Sequence, residues 1–403
     1  MTLQAGTAAI DITPPAGSLM AAFPRGKERV PRRAQGVLDP LMARALALHD
    51  DNTCVVLCSL DTCILRAESV RRIRDNIRQH RPDIPADHVL ISVSHTHSGA
   101  ETSFRFGGTP DDPMLLDIES RIEEAVLAAY DDMSPATFSW GRTPLPLNHN
   151  RRVLDEKGQA GMSLEHVEGR TTGPVDPDLT ALCFTRPDGT AKAVLYHYTA
   201  HALTLGPAND DYSADYPGRA SRLLEETIPG CTALFLNGAA GNVHPRQCMR
   251  GDTEALELIG RAVGEATLEV LRKAQAVDNA DLALGSDRIE FVSRADPAFR
   301  VPVEIDVLRL GLVILGFVPG EFFVEFQLRF KQAIAPCPGT LVGYSNGGPG
   351  YVPTRESYAE GGYGVEPATI DAPRHSRTSL PEGAGETILQ RLTEIALDMR
   401  PSE

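Results

Sequence analysis

Apolar positions along this chain follow two periods. Short runs such as Cys54–Leu60 (CVVLCSL) and Val89–Ser94 (VLISVS) are almost wholly apolar and end in polar turns, the pattern of strands buried on both faces. Between them, Ser69–His80 (SVRRIRDNIRQH) spaces its apolar residues three and four apart and is stopped by Arg81-Pro82, which predicts an amphipathic helix. Comparable spacing predicts helices around Met114–Tyr130, Pro217–Thr227, Thr253–Ala274, Phe322–Ile334 and Glu386–Met399. Strands are predicted at Ala193–Tyr198 (after the turn Pro187-Asp188-Gly189), at Ala233–Leu236 and as a pair within 282–316.

The alternation predicts an α/β protein with a mixed β-sheet core and flanking helices. Parallel neighbours require helical crossovers, whereas the stretches 136–200 and 282–316 read as antiparallel. No internal repeat, low-complexity tract or polar linker divides the chain. Residues 1–403 are therefore read as one unit, with a small C-terminal lobe allowed for from about residue 340.

Composition narrows the function. With 42% hydrophobic and 23% charged residues the chain can bury a large core, so wholesale disorder is excluded. The excess of 54 acidic over 39 basic residues, a formal charge of −15, argues against a nucleic-acid partner. No apolar run reaches the roughly 18 residues a membrane span needs, and the opening MTLQAGTAAIDITPPAG does not read as a secretory signal. A soluble protein without stable membrane insertion is expected. The seven cysteines are odd in number and scattered, with no C-x-x-C pair. They predict reduced thiols and a cytoplasmic setting, and they give no thiolate zinc site.

Candidate chemistry collects after the apolar strands. CVVLCSL ends at Asp61, VLISVS runs into Ser94-His95-Thr96-His97-Ser98-Gly99, AVLYHYT leads to His201, ALFLNG leads to Asn242-Val243-His244-Pro245, and VILGFVPG ends at Glu321. In α/β sheets, ligands bind outside the carboxyl ends of strands. If the strand stays extended through Thr96, its period of two puts His95 and His97 on one face, as in many zinc sites; a hydrogen-bonded pair in a turn is the competing reading. His201 reads equally as a ligand or a core histidine, Glu321 as a ligand or a helix-start carboxylate. Asp61 is either a turn residue or an acceptor that orients a ligand histidine. His149 is an intermediate case, and His49, His80, His88, His166 and His375 read as surface or loop residues. Gly343–Gly350 (GYSNGGPG) lacks the lysine and spacing of a phosphate cradle and reads as turn chemistry.

Taken in order, several segments resemble the catalytic domain of the neutral/alkaline non-lysosomal ceramidases. They are Ala5-Gly6, Asp11-Ile12-Thr13-Pro14, Gly36-Val37-Leu38-Asp39-Pro40, S-H-T-H-S-G at 94–99, Ala200-His201, and Ser213-Ala214-Asp215-Tyr216-Pro217-Gly218. Gly241-Asn242-Val243-His244-Pro245, Pro319-Gly320-Glu321 and Tyr351-Val352-Pro353-Thr354-Arg355-Glu356-Ser357-Tyr358 complete the set. The resemblance implies zinc held by His95, His201, Glu321 and Tyr351, with His97 beside the metal. The family's nucleophilic serine lies in a G-D-V-S-P motif; here the sequence reads G-N-V-H-P, so His244 stands at the serine position. The family's C-terminal immunoglobulin-like domain is not represented.

The expected function is a zinc-dependent hydrolase cleaving an amide (C–N) bond of a small polar molecule by metal-activated water. His97 and His244 are the catalytic candidates. His244 is read as a proton shuttle, an oxyanion donor or a further ligand; the last would allow a second metal with Asp61 or Asp215, although one zinc per chain is the expectation. Arg246, Arg25 and Arg151 are the candidates for holding a substrate carboxylate. The alternatives are a glycosidase or lyase on the same scaffold, a lipid amidase like the ceramidases, and a non-catalytic metal- or ligand-binding protein. Self-association is left open.

Overall fold

Three sheets form the centre of the molecule, and each contains one parallel pair of strands. In the first, Val89–Val93 runs parallel to Cys54–Leu60, with Met42–His49 and Gln4–Asp11 following in antiparallel order. In the second, Thr232–Asn237 runs parallel to Ala191–Tyr198, followed by antiparallel Asp178–Thr185 and Thr137–Pro144. In the third, Gly339–Val342 runs parallel to Val313–Phe317, and Arg300–Leu310 and Leu282–Val292 complete it in antiparallel order. The computed structural model describes residues 3–105, 107–165, 173–278, 280–365 and 379–401.

The sheets bury one face against each other. Leu46 and Leu57 of the first, Leu195 and Leu234 of the second, and Leu308 and Phe317 of the third belong to one apolar cluster. Each outer face is covered by its own helices. Ala67–His80 and Pro113–Asp131 cover the first sheet through Ile73, Ile77, Ile118 and Ile122. Asp215–Thr227 and Thr253–Lys273 cover the second through Leu224, Ile259 and Val263. Val324–Ile334 and Ala384–Asp398 cover the third through Phe326, Phe330, Ile388 and Leu392. Burial on both faces is why the strands read as continuous apolar runs. Each buried Leu, Ile or Phe side chain contributes about 1.5–3 kcal/mol.

Local chemistry sets the helix starts. The Asp252 carboxylate accepts from the Glu254 and Ala255 amides, and Asp112, ahead of Pro113, accepts from Met114. The mixed α/β reading holds, with three revisions. The pair expected within 282–316 is three strands, because Gly311, with φ +57°, turns the chain between Leu310 and Val313. The helix expected from Phe322 starts at Val324, because Glu321–Phe322 pairs in parallel with Tyr351–Val352. The Val89–Ser94 strand ends at Val93. Beyond residue 340, Gly339–Val342 is part of the third sheet, and Ala384–Asp398 packs on that sheet's outer face.

Candidate metal centre

Each parallel pair hands its outgoing chain to the same crevice. Val93 leads to His95 and His97, Tyr198 to His201, Asn237 to His244, Phe317 to Glu321, and Val342 to Tyr344. His95 Nε2 and Glu321 Oε2 are 3.4 Å apart, His201 Nε2 and Glu321 Oε2 3.3 Å, and His97 Nε2 and His95 Nε2 3.3 Å. Ligand atoms of His95, His201 and Glu321 all lie within 4.8 Å of one another, and all three residues are buried.

His95 and His97 meet, but not by strand alternation. His95 sits at φ +66°, a left-handed conformation uncommon for a residue with a Cβ. The turn is held by Asn237 Nδ2 on the Ser94 carbonyl (3.0 Å), by the His95 amide on Thr62 (3.0 Å) and by Thr96 Oγ1 on the Ser213 carbonyl (2.7 Å). Strain of this kind persists only where the surroundings over-determine it.

The donor set fits a divalent cation. His95 Nδ1 donates to the Cys63 carbonyl at 2.6 Å, and His201 Nδ1 donates to the Ala240 carbonyl at 2.7 Å. A proton on each Nδ1 leaves each Nε2 with its lone pair facing Glu321, the usual arrangement for a metal-bound imidazole. Glu321 Oε2 and His201 Nε2 are buried yet hydrogen-bonded to nothing, although 3.3 Å apart.

Electrostatics agree. Burial, then the Arg151 guanidinium, push the His201 imidazole down to about 4. Burial and the neighbouring His95 hold His97 well below the usual imidazole range. Burial opposes the Glu321 carboxylate, but His95 and His201 hold it well below the carboxylate range. Burial also opposes a charged His95, and Cys63 and Glu321 overcome it, so the imidazole lies well above its usual value. Without a cation, a proton on His95 faces Glu321; a cation would take its place.

A second layer surrounds the centre. Arg151 Nη1 lies 2.8 Å from His244 Nε2, and its Nη2 donates to the Gly241 carbonyl (2.5 Å) and the Tyr351 hydroxyl (3.1 Å). Gly241 is required where it stands: a Cβ there would lie 2.3 Å from the Glu321 carbonyl oxygen. Tyr344 stacks on His95 at 4.4 Å, and its buried hydroxyl has no hydrogen-bond partner. On the opposite side Phe23 tilts over the half-buried His97 ring (5.3 Å), and Arg32 donates to the His97 carbonyl at 2.9 Å. A cavity of about 620 Å³ borders the centre at Cys63, Glu321 and Tyr344 and reaches outward to Arg71, Arg288 and Arg300.

Against the sequence expectations, His95, His97, His201, Glu321 and His244 come together, and Tyr351 lies beside Glu321 through the parallel bridge. Several assignments are corrected. Asp61 does not orient a ligand histidine, because its carboxylate is taken by Arg44 Nη1 (3.2 Å) and the Met42 amide (3.1 Å). Asp215 touches no histidine; it accepts from Thr204 Oγ1 and the Thr204, Leu205 and Tyr216 amides, and so anchors the loop after His201. With both carboxylates engaged, and His244 Nε2 facing Arg151, these residues do not build a second metal centre.

The three arginines part company as well. Arg25 is exposed and paired with Asp210, and Arg246, directly after the Val243–Pro245 strand, is exposed. Arg151 is buried and engaged by protein groups. His149 is buried opposite His244, their rings 5.9 Å apart. His80 pairs with Glu123, His88 with the Cys54 carbonyl, and His166 and His375 lie outside the described residues.

Sequence reasoning missed three residues. Tyr344 falls in the segment read as turn chemistry. Its backbone is indeed left-handed (φ +57°), but its place after a parallel strand was the available signal. Cys63 supplies the carbonyl for His95 and, with His95 and His97, forms a second group able to hold a metal. His197, a core residue, joins the second sheet to the third through the Leu341 carbonyl at 2.9 Å.

No family model matches the chain, and no curated protein sequence does. Solved structures do. The neutral ceramidase from Pseudomonas aeruginosa superposes with a TM-score of 0.80 over 100% of this chain and 76% of its own, at 17% identity. A structure described as ceramidase complexed with C2 aligns to the same extent, at the same identity and score. At that identity the likeness establishes the fold: the chain has a neutral ceramidase-like architecture, as the resemblance implies.

Proposed function

We propose that this chain is a zinc-dependent hydrolase that cleaves an amide (C–N) bond of a small, polar, carboxylate-bearing molecule. One observation carries the reading: two imidazole Nε2 atoms and a carboxylate oxygen converge in a buried crevice, each imidazole oriented by a backbone carbonyl behind it. His95, His201 and Glu321 would hold one zinc per chain. Tyr351 is the fourth ligand that the resemblance implies; burial and Glu321 hold its hydroxyl well above the usual phenol range, and the Arg151 cation opposes them only in part. When bound, zinc supplies Lewis acidity toward a carbonyl and acidifies a water.

The chain's own groups do the rest. His97, neutral and half-buried, stands between the centre and solvent, where Nε2 can take a proton from water and return it to the leaving nitrogen. Phe23 shields its ring, and Arg32 holds its backbone in place. The bordering cavity has the volume of a small-molecule site. Its outer wall offers Arg71, Arg288 and Arg300 to an anionic substrate tail, interleaved with the carboxylates of Glu68, Asp75, Glu290 and Glu304. Seven free cysteines, five of them buried, support a reducing, cytoplasmic setting. No described helix is long and apolar enough to cross a membrane.

The test is metal content per chain, paired with turnover on N-acyl amino acids, N-acyl amino sugars, sphingoid-base amides and glycosides. One zinc and turnover on N-acyl amino acids support the reading. Turnover on sphingoid amides alone would make the chain a lipid amidase, like its structural neighbours by name. Glycoside cleavage alone, or zinc without any turnover, would overturn it.

A further inference from the structure

We infer that Arg151 fixes His244 as the neutral tautomer with its proton on Nδ1, so that His244 donates a hydrogen bond to the reacting oxygen. It is then neither nucleophile nor base. The inference deepens the hydrolase reading and rests on it for the identity of the reacting oxygen.

The geometry leaves one assignment of protons. A guanidinium has five N–H donors and no acceptor, so His244 Nε2, 2.8 Å from Arg151 Nη1, must present its lone pair. Arg151 cannot turn away, because Nη2 is bound to the Gly241 carbonyl and the Tyr351 hydroxyl. Its guanidinium also lies against the Tyr351 and Tyr363 rings, at 5.5 and 5.0 Å. A second proton on His244 would put an imidazolium against this fixed cation. The single imidazole proton is therefore on Nδ1.

That N–H has no acceptor among the described residues. His244 Nδ1 is buried without a hydrogen-bond partner, and its ring packs 5.3 Å from that of His201. A buried, unpaired donor beside the centre calls for an acceptor, and a substrate carbonyl that gains negative charge as it is attacked supplies one. With Nε2 occupied, the residue at the family's serine position has no electron pair to give. Water's oxygen then forms the new bond to the acyl carbon, the C–N bond breaks, and both water protons end on the leaving amine. No acyl group is carried by the protein. Arg151 is the positioning residue and acts through His244.

The test reads the tautomer directly, by long-range ¹⁵N–¹H spectra of histidine-labelled, zinc-loaded protein with His244→Asn used for assignment. The expected pattern is a protonated Nδ1 and a bare Nε2; a protonated Nε2 overturns the inference. Function is read with two isosteres, because an Asn amide nitrogen overlays Nδ1 and that of Gln overlays Nε2. H244N should stay within about 10-fold of the parent, and H244Q should lose about 100-fold, the cost of one oxyanion donor, with zinc retained in both. Equal loss in both, or H244Q the better, overturns the donor role. Arg151→Met should cost about 10-fold in the parent background and little in H244N, whose amide needs no tautomer fixed. A loss of equal size in both backgrounds would place the effect on Tyr351 or the fold and overturn the action of Arg151 through His244. A bare Nε2 in a protein that hydrolyses no amide would sink the hydrolase reading alone and leave the tautomer standing.

Discussion

Glu321 Oε2 lies 3.3 Å from His201 Nε2 and 3.4 Å from His95 Nε2, close enough for ion pairs, yet among the described residues neither Glu321 Oε2 nor His201 Nε2 makes a hydrogen bond. Two lone pairs buried in this way are a cost to the metal-free protein and a ready site for a cation. The centre is thus a place where stability and metal loading are coupled.

Glu321→Gln keeps the side-chain volume and removes the anion. Zinc affinity should fall by more than the roughly 10–100-fold typical of altering a group behind a ligand. The fold should survive, because a neutral amide facing two imidazoles relieves part of the desolvation of the carboxylate. Competition with a chromophoric chelator reads the affinity, and circular dichroism the fold.

Chelation should lower thermal stability in the parent. At free zinc about 100-fold above its dissociation constant, the holo-protein gains about 2.7 kcal/mol over the apo-protein. In Glu321→Gln that increment should shrink toward zero. Scanning calorimetry with and without chelator measures both, and an unchanged midpoint in the parent would argue against a structural coupling of metal and fold.

His97→Ala should retain zinc and lose about 10²–10⁴ in kcat, the usual worth of a positioned acid–base group. The ring is outside the His95, His201 and Glu321 group but inside the one formed with Cys63 and His95, so metal content is measured beside turnover, and retained zinc places the ion in the former. Full activity with full metal would remove His97 from the proposed reaction.

Gly241→Ala puts a Cβ 2.3 Å from the Glu321 carbonyl oxygen, a backbone atom with no room to yield. Overpacking of this kind costs about 1–3 kcal/mol. Because the clash falls on Glu321 itself, zinc affinity should drop along with the melting temperature. A chemical denaturation curve and a metal titration on the same variant show both effects.

Acid should weaken the fold through His197. Burial pushes this imidazole down to about 4, so between pH 6.5 and 4 the unfolded chain binds the extra proton and stability falls as pH falls. Asp61 and Asp215 work in the other direction, since burial raises both to about 6 and the folded state takes up their protons first. The His197 contribution is isolated by comparison with His197→Gln. The parent's advantage over the variant should shrink by about 2 kcal/mol between pH 7 and pH 5, read from urea unfolding at each pH.

Particular residues show how far the chain could be read unaided. The three- and four-residue spacing of apolar residues around Met114–Tyr130 marks a helix that the structure has at Pro113–Asp131, because periodicity is local. Glu321 stood out because an apolar run delivered a single carboxylate. For His95 and His97 the sequence leaves two routes open, one face of an extended strand or a pair in a turn, and a left-handed turn held by Asn237 and Thr62 is the one that brings the rings together. Arg246 and Arg151 are both candidates for a substrate anchor in the sequence, yet the first faces solvent and the second is buried at the heart of the site. Tyr344 was hidden by its glycine-rich neighbours.

Periodicity, turn signals and the polar residues closing each apolar run were enough to establish an α/β chain with metal-type donors at its strand ends, since those features depend on neighbours in sequence. Which of the donors meet, which nitrogen of each histidine is free, and whether an aspartate or arginine faces the centre or a salt bridge were decided by packing. The physical reason is that the three parallel pairs belong to three different sheets. Only their burial against a common core brings residues 95, 201 and 321 within one coordination radius, and only the backbone carbonyls met there choose the tautomers.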